Sequence, residues 1–227
     1  MPGKETQKSI IMRYEYIMAR DINAKCRKCR KAGEKLFLKG DRCNGTKCAM
    51  IKRAYGPGMH GKKIKRGLSE YGMQLMTKQK IKRIYGILEK QFRNHFEEVK
   101  GKKGITGDLL LARLEMRLDN VVYRMGLASS RALARQLVNH GLISVNGKKV
   151  SIPSYEVKVG QTIGINNAKQ ERNYFKNIEQ LLKNKKDFPS WIFFDSAKKE
   201  GKIIGNPQRN EIGTNIDVQV VVEYYSR

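Results

Sequence analysis

Residues 113–150, RLEMRLDNVVYRMGLASSRALARQLVNHGLISVNGKKV, decide how the chain must be read. Leu110, Leu114, Leu118, Val122 and Met125 recur at steps of three and four, so they share one stripe of an α-helix, with Arg113 and Arg117 on another face. After Gly126, the Ser129 hydroxyl is placed to cap a second helix, whose buried side is Leu133, Leu137, Ala134 and Val138. Arg131 and Arg135, four apart, then form a solvent-facing ridge. Gly141 is expected to stop that helix in a left-handed cap, and Leu142–Val145 alternates like a strand before the turn dipeptide Asn146-Gly147. The local order is helix, helix, strand, hairpin.

The same residues carry a family resemblance. Ser130-Arg131, Ala134-Arg135-Gln136-Leu137-Val138, and His140-Gly141 leading to Val145-Asn146-Gly147 resemble the small RNA-binding domain named after protein four of the small ribosomal subunit. That domain also occurs in pseudouridine synthases, a heat-shock RNA binder and some tRNA synthetases, so the resemblance implies a ligand class.

Composition points the same way. Lys and Arg number 47 against 21 Asp and Glu, a net charge of +26 on 227 residues, which calls for a polyanionic partner. Hydrophobic residues at 40% suffice for one or two modest cores. No apolar run approaches bilayer length and the N-terminus lacks a signal-peptide pattern, so the expectation is a cytosolic or organelle-internal protein without membrane contact.

Residues 1–17 have mixed polarity and no period, and read as a flexible basic arm. Beyond it the cysteines fall as Cys26-x-x-Cys29, thirteen residues, then Cys43-x4-Cys48. Four thiolates so spaced can close a tetrahedral metal site, zinc by default, although four thiolates alone also suit an iron–sulfur cluster. Two disulfides or four free thiols are the alternatives. The surrounding Lys25, Arg27, Lys28, Arg30, Lys31, Lys47 and Lys52 favour thiolate over thiol and gather charge for a phosphate backbone.

Arg53 to Gly67 is punctuated by glycine and proline and dense in positive charge, including Lys62, Lys63 and Arg66, which predicts an extended basic loop. His60 in that loop reads as an RNA or solvent contact in preference to a metal ligand. From Ser69 to about Lys100 the pattern is helical, with Ile81, Ile84, Tyr85, Leu88, Phe92, Phe96 and Val99 as the apolar stripe and His95 beside it. Lys100–Gly104 interrupts it. Pro153–Val157 and Gly160–Ile165 are β-type segments that complete a small sheet. Tyr174, Phe175, Ile178, Leu181 and Leu182 mark a further helix, and Trp191–Asp195 and Lys202–Gly205 two short strands, with Trp191 as core. The closing run Val218–Arg227 favours a strand on propensity.

Several landmarks in one order extend the resemblance over residues 18–227 to the family of bacterial-type small-subunit ribosomal protein four. The resemblance implies an α+β chain in which a helical domain, 67–104 plus 170–227, carries an inserted RNA-binding domain at 105–169, behind a metal knuckle and basic loop at 18–66. It suggests a short helix where propensity favours a terminal strand. It also implies an early-binding structural protein that grips small-subunit ribosomal RNA, touches neighbouring ribosomal protein five, influences decoding accuracy, and has neither catalytic residues nor a small-molecule substrate. The implied RNA-binding residues are Arg27, Lys28, Arg53, His60, Lys62, Lys63, Arg66, Arg113, Arg117, Ser129, Arg131, Arg135, Gln136 and Lys148, with Cys26, Cys29, Cys43 and Cys48 as metal ligands. The family commonly has Pro-Gly-Asp where this chain has Val159-Gly160-Gln161, so no role passes to that aspartate. The rival reading is a pseudouridine synthase, because Arg117-Leu118-Asp119 superficially matches that class's catalytic Arg-Leu-Asp. Without a glycine-rich loop or large catalytic sheet, Asp119 reads as an ordinary helix residue.

Overall fold

A computed structural model describes residues 21, 23–63, 67–170, 172–176, 182, 188–196, 198–213 and 216–226. The basic arm at 1–17, the family's expected start at 18–20, Arg66 and the helical positions Ile178 and Leu181 lie outside the described residues.

The expected long helix through residue 125 is two helices. Helix α6, Thr106–Glu115, and α7, Leu118–Arg124, are separated at Met116-Arg117, where Arg117 is extended (φ −70°, ψ 137°). The backbone there is claimed by another segment: Leu118 N–H donates to the Tyr155 carbonyl, Asp119 N–H to Pro153, and Val157 N–H to the Met116 carbonyl. Asn120 also donates from its amide to the Glu115 carbonyl at 2.9 Å, occupying an acceptor that a continuous helix would need. The apolar stripe is buried throughout but divided between two cores. Leu110 and Leu114 belong to one, Leu118, Val122 and Met125 to the other.

The first core is mainly helical. Helix α4, Glu70–Tyr85, starts at Ser69, whose hydroxyl accepts from Gly72 N–H, and ends at Gly86 in a left-handed conformation. The single helical stretch expected from Ser69 to Lys100 therefore breaks there, and α5, Glu89–Lys100, follows. Ile81, Ile84, Tyr85, Phe92, Phe96 and Val99 close onto Leu110 and Leu114 of α6, onto Val218 and onto Val221 of helix α10, Gln219–Ser226. The run that favoured a strand on propensity is thus helical. Its burial against α4 and the stacking of Tyr225 on Phe96 at 4.8 Å outweigh β-branching.

The second core lies under a five-stranded antiparallel sheet. Strand β1, Ile143–Val145, turns through Asn146-Gly147, both at positive φ, into β2, Lys148–Lys149. Strand β3, Thr162–Ile165, pairs with β1 on its other side. The hairpin of β4, Ile192–Asp195, and β5, Glu200–Ile203, then continues the sheet, in the order β2-β1-β3-β5-β4. This corrects the expected grouping of the whole of 170–227 with the helical part. Phe175 of helix α9, Asn173–Lys176, fills the sheet's core with Trp191, Ile192 and Ile203, while Ile212, Ile216, Val218 and Val221 return to the helical one. Segment 153–157 contributes only a bridge between Glu156 and Arg117. Helix α7 and helix α8, Arg131–Asn139, cover the sheet core.

Glu89 fastens the terminal helix. Its carboxylate accepts from Lys78 (2.7 Å), Lys82 (2.9 Å) and the Tyr225 hydroxyl (2.8 Å), and Lys78 also lies 4.3 Å over the Tyr224 ring. Burial pushes this carboxyl up, but the hydrogen bonds from Lys78, Lys82 and Tyr225 outweigh it and bring the group down to about 2. A carboxylate lowered in the folded state adds stability that is complete above the ordinary value of 4.5 and is lost as pH falls toward about 2. Acid titration followed by near-ultraviolet circular dichroism should therefore show α10 and its tyrosines loosening across that window, and Glu89→Gln should remove the transition there.

Candidate nucleic-acid interface

The arginines expected to face phosphates turn inward. Arg117 is 2% exposed and grips Asp119 with two nitrogens, at 3.2 and 3.0 Å. Arg135 reaches the same carboxylate at 3.2 Å. Arg113 is paired with Glu98 and lies 3.3 Å from Glu156, and its Nε donates to His95 Nδ1 at 3.0 Å. Burial and the Arg117 and Arg113 guanidiniums hold His95 below the ordinary imidazole range, which keeps it a neutral acceptor. Arg131 lies between the rings of Tyr85 and Tyr123, at 4.9 and 4.6 Å, and donates to Asn120 Oδ1 at 2.7 Å. The ridge of Arg131 and Arg135 exists, but it is half-buried. In a low-dielectric setting a guanidinium takes the nearest carboxylate, and Asp119 and Glu115 are within reach of it.

At the centre of this set is Glu115, fully buried. It accepts from Tyr85 Oη (2.6 Å), Asn120 Nδ2 (2.6 Å) and Arg124 Nε and Nη2 (2.8 and 2.7 Å). Burial works to raise this carboxyl, yet the hydrogen bonds and charge of Arg124, then Arg131 and Tyr85, keep it below the ordinary carboxylate value. Tyr85 is pushed well up by burial and by Glu115, so its hydroxyl stays protonated and continues to donate. Arg124 also donates to the Ile212 carbonyl at 2.8 Å. One carboxylate thus ties α4, α6, α7, α8 and the segment before α10.

Helix α8 is capped by Ser130, one position beyond the expected Ser129. Ser130 has the extended backbone of a cap (φ −152°, ψ 154°) and its hydroxyl accepts from Leu133 N–H at 3.3 Å. Ser129 instead lies under the cysteine segment. A β-carbon on Gly40, which has φ +61°, would stand 2.6 Å from the Ser129 carbonyl oxygen. Gly141 adopts the expected left-handed stop, with φ +61°.

None of the four cysteines is paired in a disulfide. Cys29 lies in α1, Lys25–Ala32, Cys43 in α2, Asp41–Asn44, and Cys48 just before α3, Ala49–Lys52, all three buried, with Cys26 half-buried. Burial raises the Cys29 thiol, the backbone hydrogen bond from Leu36 lowers it, and repulsion from Cys43, Cys26 and Cys48 raises it further. The four sulfurs feel one another's charge, but among the described residues no three of His, Cys, Asp and Glu converge on a point where a metal would bind.

The expected RNA-binding side chains that do face solvent lie elsewhere. Arg27, Arg53, His60, Lys62, Lys63, Gln136 and Lys148 are exposed, whereas Lys28 is half-buried and paired with Asp21. A cleft of about 520 Å³ beside the cysteines is walled by Arg27, Arg30, Arg42, Lys47, Lys52 and Arg53. Its far side is fixed because Arg30 donates to the Tyr55 and Gly56 carbonyls, at 2.9 and 3.1 Å, and stacks over Tyr55. Gly61 completes the loop, since a β-carbon there would stand 2.0 Å from the Gly56 carbonyl oxygen. The basic loop is therefore folded upon α1 where extension was expected. Asp119, which suggested catalysis, is 4% exposed and held between two guanidiniums.

Comparison with known proteins follows the same division. A family model described as ribosomal protein S4/S9 N-terminal domain matches residues 20–115, and one described as S4 domain matches 116–163. Small ribosomal subunit protein uS4 of Syntrophomonas wolfei is 51% identical over 210 residues, 92% of this chain and all of the relative. The uS4 protein of Acetivibrio thermocellus is 50% identical, and the uS4A protein of Alkaliphilus oremlandii 51%, each over 92% of this chain and all of its own length.

Glu115→Gln should cost about 3–5 kcal/mol, because it leaves the guanidiniums buried without their counter-charge. Tyr85→Phe should cost about 1–2 kcal/mol through one lost charge-assisted hydrogen bond. Denaturant midpoints at constant m-value check both, and a neutral result for Glu115→Gln would sink the assignment of Glu115 as hub.

Proposed function

The chain belongs to the family of small ribosomal subunit protein uS4, and from that premise we propose that it works as a structural component of the small ribosomal subunit, in the cytoplasm, by binding ribosomal RNA directly. It is not an enzyme, and the pseudouridine synthase alternative is set aside. The observation that carries the mechanism is the division of the cations. Arginines beside acids hold the halves together, while the exposed Arg27, Arg53, His60, Lys62, Lys63 and Lys148 remain to meet phosphates. Folded RNA is recognised largely by shape, phosphate and 2′-hydroxyl contacts, and displaced counterions supply much of the affinity.

Arg113, Arg117, Arg131 and Arg135 then act as positioning residues that hold α8 and its exposed Gln136 in place for RNA. Any phosphate contact by these four would come from guanidinium nitrogens left over from their internal pairs. Ser129 contributes through its backbone position. The finer reading of residues 18–66 as a knuckle holding structural zinc rests on donor chemistry. Three buried sulfurs and one half-buried sulfur lie within a basic segment, Lys39 N–H donates to Cys43 Sγ at 3.3 Å, and Leu36 N–H supports Cys29. Cys26, Cys29, Cys43 and Cys48 would have to converge to hold it. Early assembly, contact with neighbouring ribosomal protein five and an effect on decoding accuracy are likewise proposed from the family.

Binding of the full chain to small-subunit ribosomal RNA should fall with salt at a log–log slope steeper than about −5, and Lys62→Ala and Lys63→Ala should each flatten it by about one. A slope near zero would overturn phosphate-led binding. Metal analysis of the purified protein should find about one zinc per chain with the thiols masked to a thiol reagent. Four reactive thiols and no metal would remove zinc and leave the RNA-binding reading intact.

A further inference from the structure

Beside the C-terminal end of α8 is a cleft of about 520 Å³ that differs in kind from the basic groove near the cysteines. Its floor is apolar. Leu137 and Leu142 are 4% and 6% exposed members of the sheet core, and Leu133 packs partly buried against them. Its rim is polar, formed by Gln136, His140 and Arg172, all exposed. Tyr174 forms a wall, and its hydroxyl donates to the Leu127 carbonyl at 2.8 Å, which fixes the ring. Lys169 donates to the His140 carbonyl at 2.9 Å and adds a positive charge at the helix's negative end.

Resting on the RNA-binding reading above, we propose that this cleft receives one unstacked nucleobase of the bound RNA, with its edge read by Gln136 and its phosphate held by Arg172. A phosphate needs only cations, and the groove beside the cysteines already supplies them. An apolar floor under neutral donors and acceptors suits a flat aromatic base instead. The contrast within α8 is sharp. At its first turns Arg131 and Arg135 are bound to Asn120, Glu115 and Asp119. At the very next position, Gln136 can both donate and accept, and among the described residues neither its amide nor the Arg172 guanidinium has a hydrogen-bond partner within the chain. Single-stranded bulges and loops are where RNA offers such a base, and the net charge of +26 brings the strand to the site.

The test is base-edge probing of small-subunit ribosomal RNA from a bacterial relative, free and in complex with the full chain, using dimethyl sulfate and a carbodiimide. The wild-type chain should protect the Watson–Crick edge of at least one unpaired nucleotide. Gln136→Ala and Arg172→Ala should both restore reactivity at that nucleotide and weaken binding roughly five- to a hundredfold. Because Gln136 is uncharged, Gln136→Ala should leave the salt slope unchanged, and Gln136→Leu, which keeps the volume, should behave alike. Identical protections in the variants overturn the base site while leaving RNA binding standing. So does an effect of Arg172→Ala confined to the salt slope, which would make the cleft a phosphate contact. No binding by the wild type overturns the RNA-binding reading and the base site together.

Discussion

A carboxylate with no exposure to water must be surrounded by donors, and the architecture of this chain follows from meeting that demand at Glu115. Removing the charge from water costs several kcal/mol, and only hydrogen-bonded cations in good geometry offset it. Arg124 supplies two bonds, Asn120 and Tyr85 one each. These partners come from both sides of the break between α6 and α7, so satisfying one acid fixes how the helical half meets the sheet half. The match to one family model ends at residue 115 and the match to the next begins at 116, which puts this acid on the seam. A hydrophobic contact there would hold the halves together with less directional control, because apolar burial is indifferent to rotation.

The same requirement sorts the positive charges. With 47 basic and 21 acidic residues, acids are the scarce partner, and the chain concentrates several of them around a few arginines. What remains exposed is a surface whose positive charge is little offset locally. Internal rigidity and external affinity are therefore drawn from one residue type, separated only by where the acids fall.

Much of this order was legible in sequence. The Asn146-Gly147 turn, the Gly141 stop, the helical stripe through Phe92 and Phe96 and the burial of Trp191 all follow from local chemistry. The pairing of Arg117, Arg131 and Arg135 was not, because a one-dimensional pattern shows which face a residue is on but not what covers that face. A signal was nevertheless present: Leu114, Met116, Leu118, Val121 and Val122 leave no polar side to the segment that also holds Glu115, Arg117 and Asp119. Charges embedded in such a run are buried and must pair. The break at Met116 was hidden for a related reason, since its cause is the backbone of Tyr155 and Pro153, nearly forty residues away. The β4–β5 hairpin joined the sheet by pairing β5 with β3, a non-local choice that propensity does not encode.

The division of the C-terminal third between two cores has a consequence for synthesis. A chain emerging from its N-terminus lacks Trp191, Ile192 and Ile203 for the sheet core, and then Val218 and Val221 for the helical one, until those late segments have been made. At roughly 5–20 residues per second, the nascent protein spends seconds with its cations already in solution and its apolar faces open. Neither half can close ahead of the other in full, so a shortened chain would retain the attraction for polyanions while losing the shape that directs it. Selective recognition is thereby linked to segments that arrive late in synthesis.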